Sequence, residues 1–142
     1  MGDPKELKMS ETMMELAGRC EALSGPDREV DCLIWATVIH GGYEWTTSNI
    51  LRVPSCGIRI GSIDPGLASR NFTCWHEPVP AYTASLDATM PLAPEGWFRL
   101  ERQKDDWMAL GSTGRWCRGA TPALALCAAA LRARAAMEVG HG

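Results

Sequence analysis

The chain has 142 residues, 46% of them apolar and 22% charged, with a formal net charge of −3. That length suits one domain able to bury roughly two thirds of its unfolded surface. No apolar run approaches the ~20 residues of a membrane helix, the aliphatics and tryptophans exclude a disordered chain, and the acidic balance argues against an arginine-saturated nucleic-acid binder.

The averages hide an asymmetry. Residues 1–96 hold 7 basic and 13 acidic side chains, whereas residues 97–142 hold 7 basic and 4 acidic. Six Trp stand against two Phe and two Tyr, and eleven Arg against three Lys. The six cysteines, Cys20, Cys32, Cys56, Cys74, Cys117 and Cys127, lack the short spacings of a disulfide or zinc framework. No secretory signal or myristoylation pattern is read at Met1-Gly2-Asp3-Pro4, so the expected compartment is the cytoplasm, with reduced thiols.

In chain order, residues 1–9 read as a flexible tail and residues 10–142 as a single domain. Ser10 is expected to cap a helix carrying Met13, Leu16, Ala17, Cys20 and Leu23 at helical spacing. Gly25-Pro26 ends it. Asp27 then caps a second helix with Val30, Leu33, Ile34 and Val38 on its buried stripe, stopped by Gly41-Gly42. From 43 to 80 the pattern weakens. One strand is expected around Ile58-Arg59-Ile60, within 56–63, then a turn at Asp64-Pro65-Gly66 and a returning strand over 71–75. Ser85 or Thr83 caps a short helix presenting Leu86 and Met90, interrupted by Pro91 and ended at Pro94.

The later elements are clearer. Residues 97–103 and 107–111 predict a β-hairpin around Lys104-Asp105-Asp106. Phe98 and Leu100 share its core face with Met108 and Leu110. Thr121-Pro122 marks a strong helix start, and the helix runs to about Met137. It is apolar nearly all round, as a helix packed on two sides must be. The expected fold is therefore α/β, an α+β layered sandwich. A small, mostly antiparallel sheet is flanked by helices, with the Ala-rich C-terminal helix central.

Four stretches occur in one order: residues 27–38 (DREVDCLIWATV), 80–88 (PAYTASLDA), 94–97 (PEGW) and 120–127 (ATPALALC). Together they resemble the phage ABA-sandwich domain family of small bacteriophage and prophage proteins, over roughly residues 25–137. The resemblance implies layered α/β architecture and a phage or prophage origin. It implies no catalytic residues, because its motifs are caps and packing positions. Pro91 departs from the pattern, where an aliphatic residue is expected.

Chemistry-bearing constellations are sparse. Cys74-Trp75-His76-Glu77 offers a thiolate and an imidazole that Cys56 or Cys117 could complete, but no Cys-x₂₋₄-Cys pair supports zinc, and no metal or cofactor is expected. Cys74 with His76 or His40 has no orienting group in view. His40, before Gly41-Gly42, suits the negative end of a helix. Asp105-Asp106 reads as a turn, and Glu44 and Glu77 have no evident partner. No phosphate-binding glycine pattern occurs. An enzyme is not expected.

The stronger signal is a cluster of Trp97, Arg99, Arg102, Trp107, Arg115, Trp116 and Arg118 within 22 positions. Trp and Arg combine contact area with directional polar groups, and Arg can grip phosphate while Trp stacks on a base. Trp97, Arg99 and Trp107 are expected on the hairpin's outer face, and Tyr43, Trp45, Arg59, Arg70 and Trp75 could extend the surface. The plain alternative is that the tryptophans cover the core while the arginines are solvated. Three functions follow: a non-enzymatic phage protein that binds a host protein or defence complex, a module for a nucleotide or single-stranded nucleic acid, or a homo-oligomeric assembly protein.

Overall fold

Residues 4–45, 50–53, 58–62, 79–93, 98–111 and 114–139 are described by the computed structural model. Among them the chain forms four α-helices and two three-stranded antiparallel sheets. The α+β layered fold is as the sequence predicts.

Helix α1 spans Pro4–Ala22. Its proline sits at the first helical position, where a missing N–H costs nothing. The helix thus covers most of the stretch expected as a tail, and Ser10 lies within it rather than capping it. Buried Ser10 instead donates from Oγ to the carbonyl of Ala135 at 3.2 Å, a bond across the core. Helix α2 spans Arg28–Val38. Asp27 caps it as expected, its Oδ1 accepting from the amides of Glu29 (2.9 Å) and Val30 (3.2 Å). Residues 30–37 are all buried, so α2 is enclosed on every side, not along one stripe. Gly41 and Gly42 adopt φ of +77° and +140°, and the Gly42 amide closes on the Ala36 carbonyl at 2.9 Å.

Strands β1 (Glu44–Trp45), β2 (Ile50–Val53) and β3 (Ile58–Ser62) form the first sheet, in that order. The expected strand is β3, and its partner is β2. The turn at 64–66 and the strand over 71–75 fall outside the described residues. Helix α3 (Leu86–Thr89), capped by Ser85, runs into a 3₁₀ turn over Met90–Leu92 that accommodates Pro91. Leu86 and Met90 are exposed, and Thr89 and Leu92 are the buried pair. Thr89 Oγ1 bonds the Tyr82 carbonyl at 2.7 Å, so a polar side chain faces the core because it brings its own partner.

The second sheet holds β4 (Arg99–Gln103), β5 (Asp106–Leu110) and β6 (Trp116–Gly119), again in chain order. Helix α4 (Pro122–Val139) follows after two residues, with Thr121 Oγ1 accepting from the Leu124 amide at 3.2 Å. Ala123 to Leu131 are all buried, whereas Met137 near the helix end is exposed. Helix α4 is central: it packs on α1 along one side and on β4–β6 along another. The closest approach is at Gly119, where a Cβ would stand 2.2 Å from the Ala125 amide nitrogen. Only glycine permits the helix to lie on β6 in this way. On the other side α1 runs antiparallel to α4. Ser10 meets Ala135, and Cys20 lies beside Cys127.

A buried polar junction fastens α2 to the segment before α3. Asp31 Oδ1 accepts from the Thr83 amide (2.8 Å) and from its hydroxyl (2.7 Å), and the Asp27 amide donates to Thr83 Oγ1 (2.9 Å). Arg28 completes the junction, reaching Asp31 Oδ2 at 3.2 Å and the carbonyls of Val79 and Pro80. A carboxylate this buried is tolerated because each oxygen has a donor. The Asp-Arg-Glu-Val-Asp start and the Tyr-Thr segment, read from sequence as separate packing motifs, are therefore two halves of one network.

Candidate binding face on the second sheet

Opposed residues of an antiparallel pair project to the same side. Two rows face α4: Leu100, Ala109 and Cys117, then Arg102, Trp107 and Gly119. Two rows face away: Arg99, Leu110 and Trp116, then Glu101, Met108 and Arg118. Gln103 and Asp106 continue the outer side.

This assignment corrects the expected faces of β5. Trp107 is half-buried against the core with Phe98 and Leu100, and Ala109 is fully buried. Met108 and Leu110 lie on the outer side. The cause is the turn. A three-residue loop over 104–106 would pair Gln103 with Trp107 and bring Met108 and Leu110 inward. The chain turns in two residues, Lys104 and Asp105, so Gln103 pairs with Asp106 and every side chain of β5 exchanges faces. Lys104 adopts φ of +50° to make the tighter turn.

Of the seven residues singled out in the sequence, Arg99, Trp116 and Arg118 come together on the outer face. Trp107 and Arg102 belong to the rows facing α4, with Arg102 exposed near the end of β4. Arg115 is exposed just before β6 and is itself engaged within the molecule. Trp97 lies outside the described residues. Among the proposed extensions, Tyr43 is half-buried against the helical core, and its hydroxyl is pushed above the ordinary tyrosine range by burial. Trp45 is in β1 and Arg59 in β3, and Arg70 and Trp75 lie outside the described residues.

The outer face is not a positive patch. Arg99 Nη2 meets Glu101 Oε1 at 2.7 Å, and Arg118 Nε meets Asp106 Oδ2 at 2.6 Å. The bond from Asp106 holds the Arg118 guanidinium even more firmly charged than usual. The Arg118 amide, on the far edge of β6, donates to Glu21 Oε2 of α1 at 3.3 Å, and the other oxygen of Glu21 pairs with Arg132. Half-buried Met108 lies between Glu101 and Arg118, half-buried Leu110 lies between Arg99 and Trp116, and Trp116, 37% exposed, stands at the sheet's edge on β6. The arrangement is an apolar strip bordered by paired charges. Sequence reasoning missed Leu110, Met108, Glu101 and Asp106 as members of this face. The acids carried no separate signal, because their pairing with the arginines depends on the register of the strands.

The thiol and imidazole candidates are differently placed. Cys56, Cys74, His76 and Glu77 lie outside the described residues. His40 packs edge-on against Trp35, with ring centroids 4.4 Å apart. Cys20 is pushed far above the thiol range by the Cys127 thiol beside it and by burial, and Cys117 is pushed up by burial. Such thiols stay protonated and make poor nucleophiles. No helix among the described residues is long and apolar enough to cross a membrane. No family model, curated protein or solved structure matches this chain.

Proposed function

We propose that this chain is a non-enzymatic accessory protein of bacteriophage or prophage origin that acts by docking the outer face of the second sheet on a host protein. Exposed Trp116, set beside Leu110 on a face that also carries Met108 and two ion pairs, is the observation that carries the reading. An aromatic anchor within a polar border is the usual composition of a protein-binding hot spot. The phage origin rests on the resemblance of the four motif stretches. That origin puts a component of an antiviral defence complex first among host targets.

The pairing of the arginines favours a protein partner over a nucleotide or single-stranded nucleic acid. A phosphate would have to displace Glu101 from Arg99 and Asp106 from Arg118 before either could grip it. Affinity capture from bacterial lysate, comparing the natural chain with Trp116→Ala and with Trp116→Ala plus Arg99→Ala, tests the reading. Stoichiometric recovery of one host protein that both variants lose, at unchanged circular dichroism, supports it. Retention of that partner by the double variant would refute it. Quenching of tryptophan fluorescence by oligonucleotides at micromolar concentration would favour the nucleic-acid reading, and a concentration-dependent mass in light scattering the assembly reading.

A further inference from the structure

The two edges of the second sheet are finished differently. On β6 the Arg118 amide points away from β5 and is taken up by Glu21 Oε2 at 3.3 Å. Along a strand, backbone N–H and C=O groups turn to one side and then the other, residue by residue. Arg118 stands opposite Met108, and Met108 opposite Glu101, so Met108 turns its groups toward β4 and Glu101 toward β5. Leu100 and Arg102 therefore turn theirs away from β5, along the outer edge of β4. Among the described residues β4 is the end strand of this sheet, and Arg99, Arg102 and Gln103 are exposed along it. Such an edge is a template for a further strand.

The side chains say which strand fits. Arg99 and Glu101, paired at 2.7 Å, alternate in sign on the outer side, with Leu100 between them on the side toward α4. A second β4 related by a two-fold axis must run antiparallel and set one residue opposite itself. Centred on Arg99, Glu101 or Arg102, the pairing sets a charge against its own copy, and centred on Gln103 it runs into the turn. Centred on Leu100, it sets Arg99 opposite Glu101 of the other copy, twice. We infer that β4 pairs with β4 of a second copy of this chain about an axis at Leu100, joining the two sheets into one. The four charges then form a square of alternating sign on the outer face. Toward α4, Leu100 meets its counterpart, and exposed Arg102 comes opposite half-buried Phe98, whose ring a guanidinium can cover. Both copies use the same patch, so the assembly closes at two. Trp116 stands on β6 at the other edge, so each copy keeps it for a host protein.

Sedimentation velocity from roughly 10 µM to 1 mM tests the inference, a range suited to an interface well below standard size. The mass of the natural chain is expected to rise from one copy to two and stop there. Arg99→Glu and Glu101→Arg each set like charges across the axis, and each is expected to remain at one copy throughout. Mixed in equal amounts, the two variants regain opposite charges at every such contact and are expected to recover a mass of two copies. Trp116→Ala is expected to pair as the natural chain does, so pairing and host capture fail separately. A natural chain that stays at one copy, a mass that grows beyond two, folded charge variants that pair alone or fail to pair when mixed, or loss of pairing in Trp116→Ala would overturn it. Should a charge variant fail to fold, amide exchange in the natural chain decides. Protection of Leu100 and Arg102 that rises with concentration supports the pairing, and protection that does not change overturns it.

Discussion

The two faces of the second sheet are made from the same three strands, yet they answer to different rules. The face toward α4 is graded by size: Trp107 lies opposite Gly119, and Ala109 and Cys117 fill the neighbouring row. Each side chain there is fixed by how near the helix comes. The outer face is graded by charge, with two ion pairs beside Met108 and Leu110 and with Trp116 at the sheet's edge. Composition alone does not separate them, since each face holds a tryptophan and an arginine. What separates them is distance to α4, a property of the assembled fold.

The largest break in this comparison is expected at Gly119. A Cβ there would stand 2.2 Å from the Ala125 nitrogen and 2.7 Å from its Cα, both backbone atoms that cannot rotate away. Gly119→Ala must push α4 off β6 and is expected to destabilise the protein by about 3 kcal/mol or more, read as a fall in the urea midpoint. The two tryptophans give the next contrast. Trp107→Ala removes half-buried area from the core and is expected to cost about 2 kcal/mol. Trp116→Ala is expected to cost less than about 1 kcal/mol in the same measurement, with its effect appearing in partner capture instead. Equal losses at the two positions would erase the distinction between the faces. The smallest expected effect sharpens it. Lys104, at φ of +50°, holds the register that assigns every residue of β5 to its side. Lys104→Gly removes the steric cost of that conformation and is expected to stabilise by about 0.5 kcal/mol, leaving fluorescence of Trp107 unchanged.

Local chemistry was legible in the sequence, and choices made by single residues across a distance were not. The caps at Asp27, Ser85 and Thr121 could be read because a side-chain oxygen and the amide it satisfies lie two or three positions apart. The enclosed character of α4 could be read because it has no polar stripe. The hairpin was legible but its faces were not, since a turn shorter by one residue inverts them. Strand β6 was not foreseen: Trp116-Cys117-Arg118-Gly119 is a strand because β5 and α4 receive it, and its glycine argues locally against one. The burial of Asp31 could not be read, because its partner Thr83 is 52 residues away. Of the candidate face, Arg99, Trp116 and Arg118 were legible as residue types, while the acids that neutralise them needed the register.

The pairing of α1 with α4 has a consequence for the order of folding. Residues 98–139 place β4, β5, β6 and α4 side by side in chain order, so most of their contacts close short loops. The bond between Ser10 and Ala135 spans 125 positions. Contacts between near neighbours form quickly, and those between remote segments wait on a slower search. The sheet and its helix are therefore the unit able to assemble first. Meanwhile α1, made long before its partner, carries Met13, Leu16 and Cys20 unsheltered through most of synthesis. In a growing chain this is the stretch most in need of a chaperone's protection.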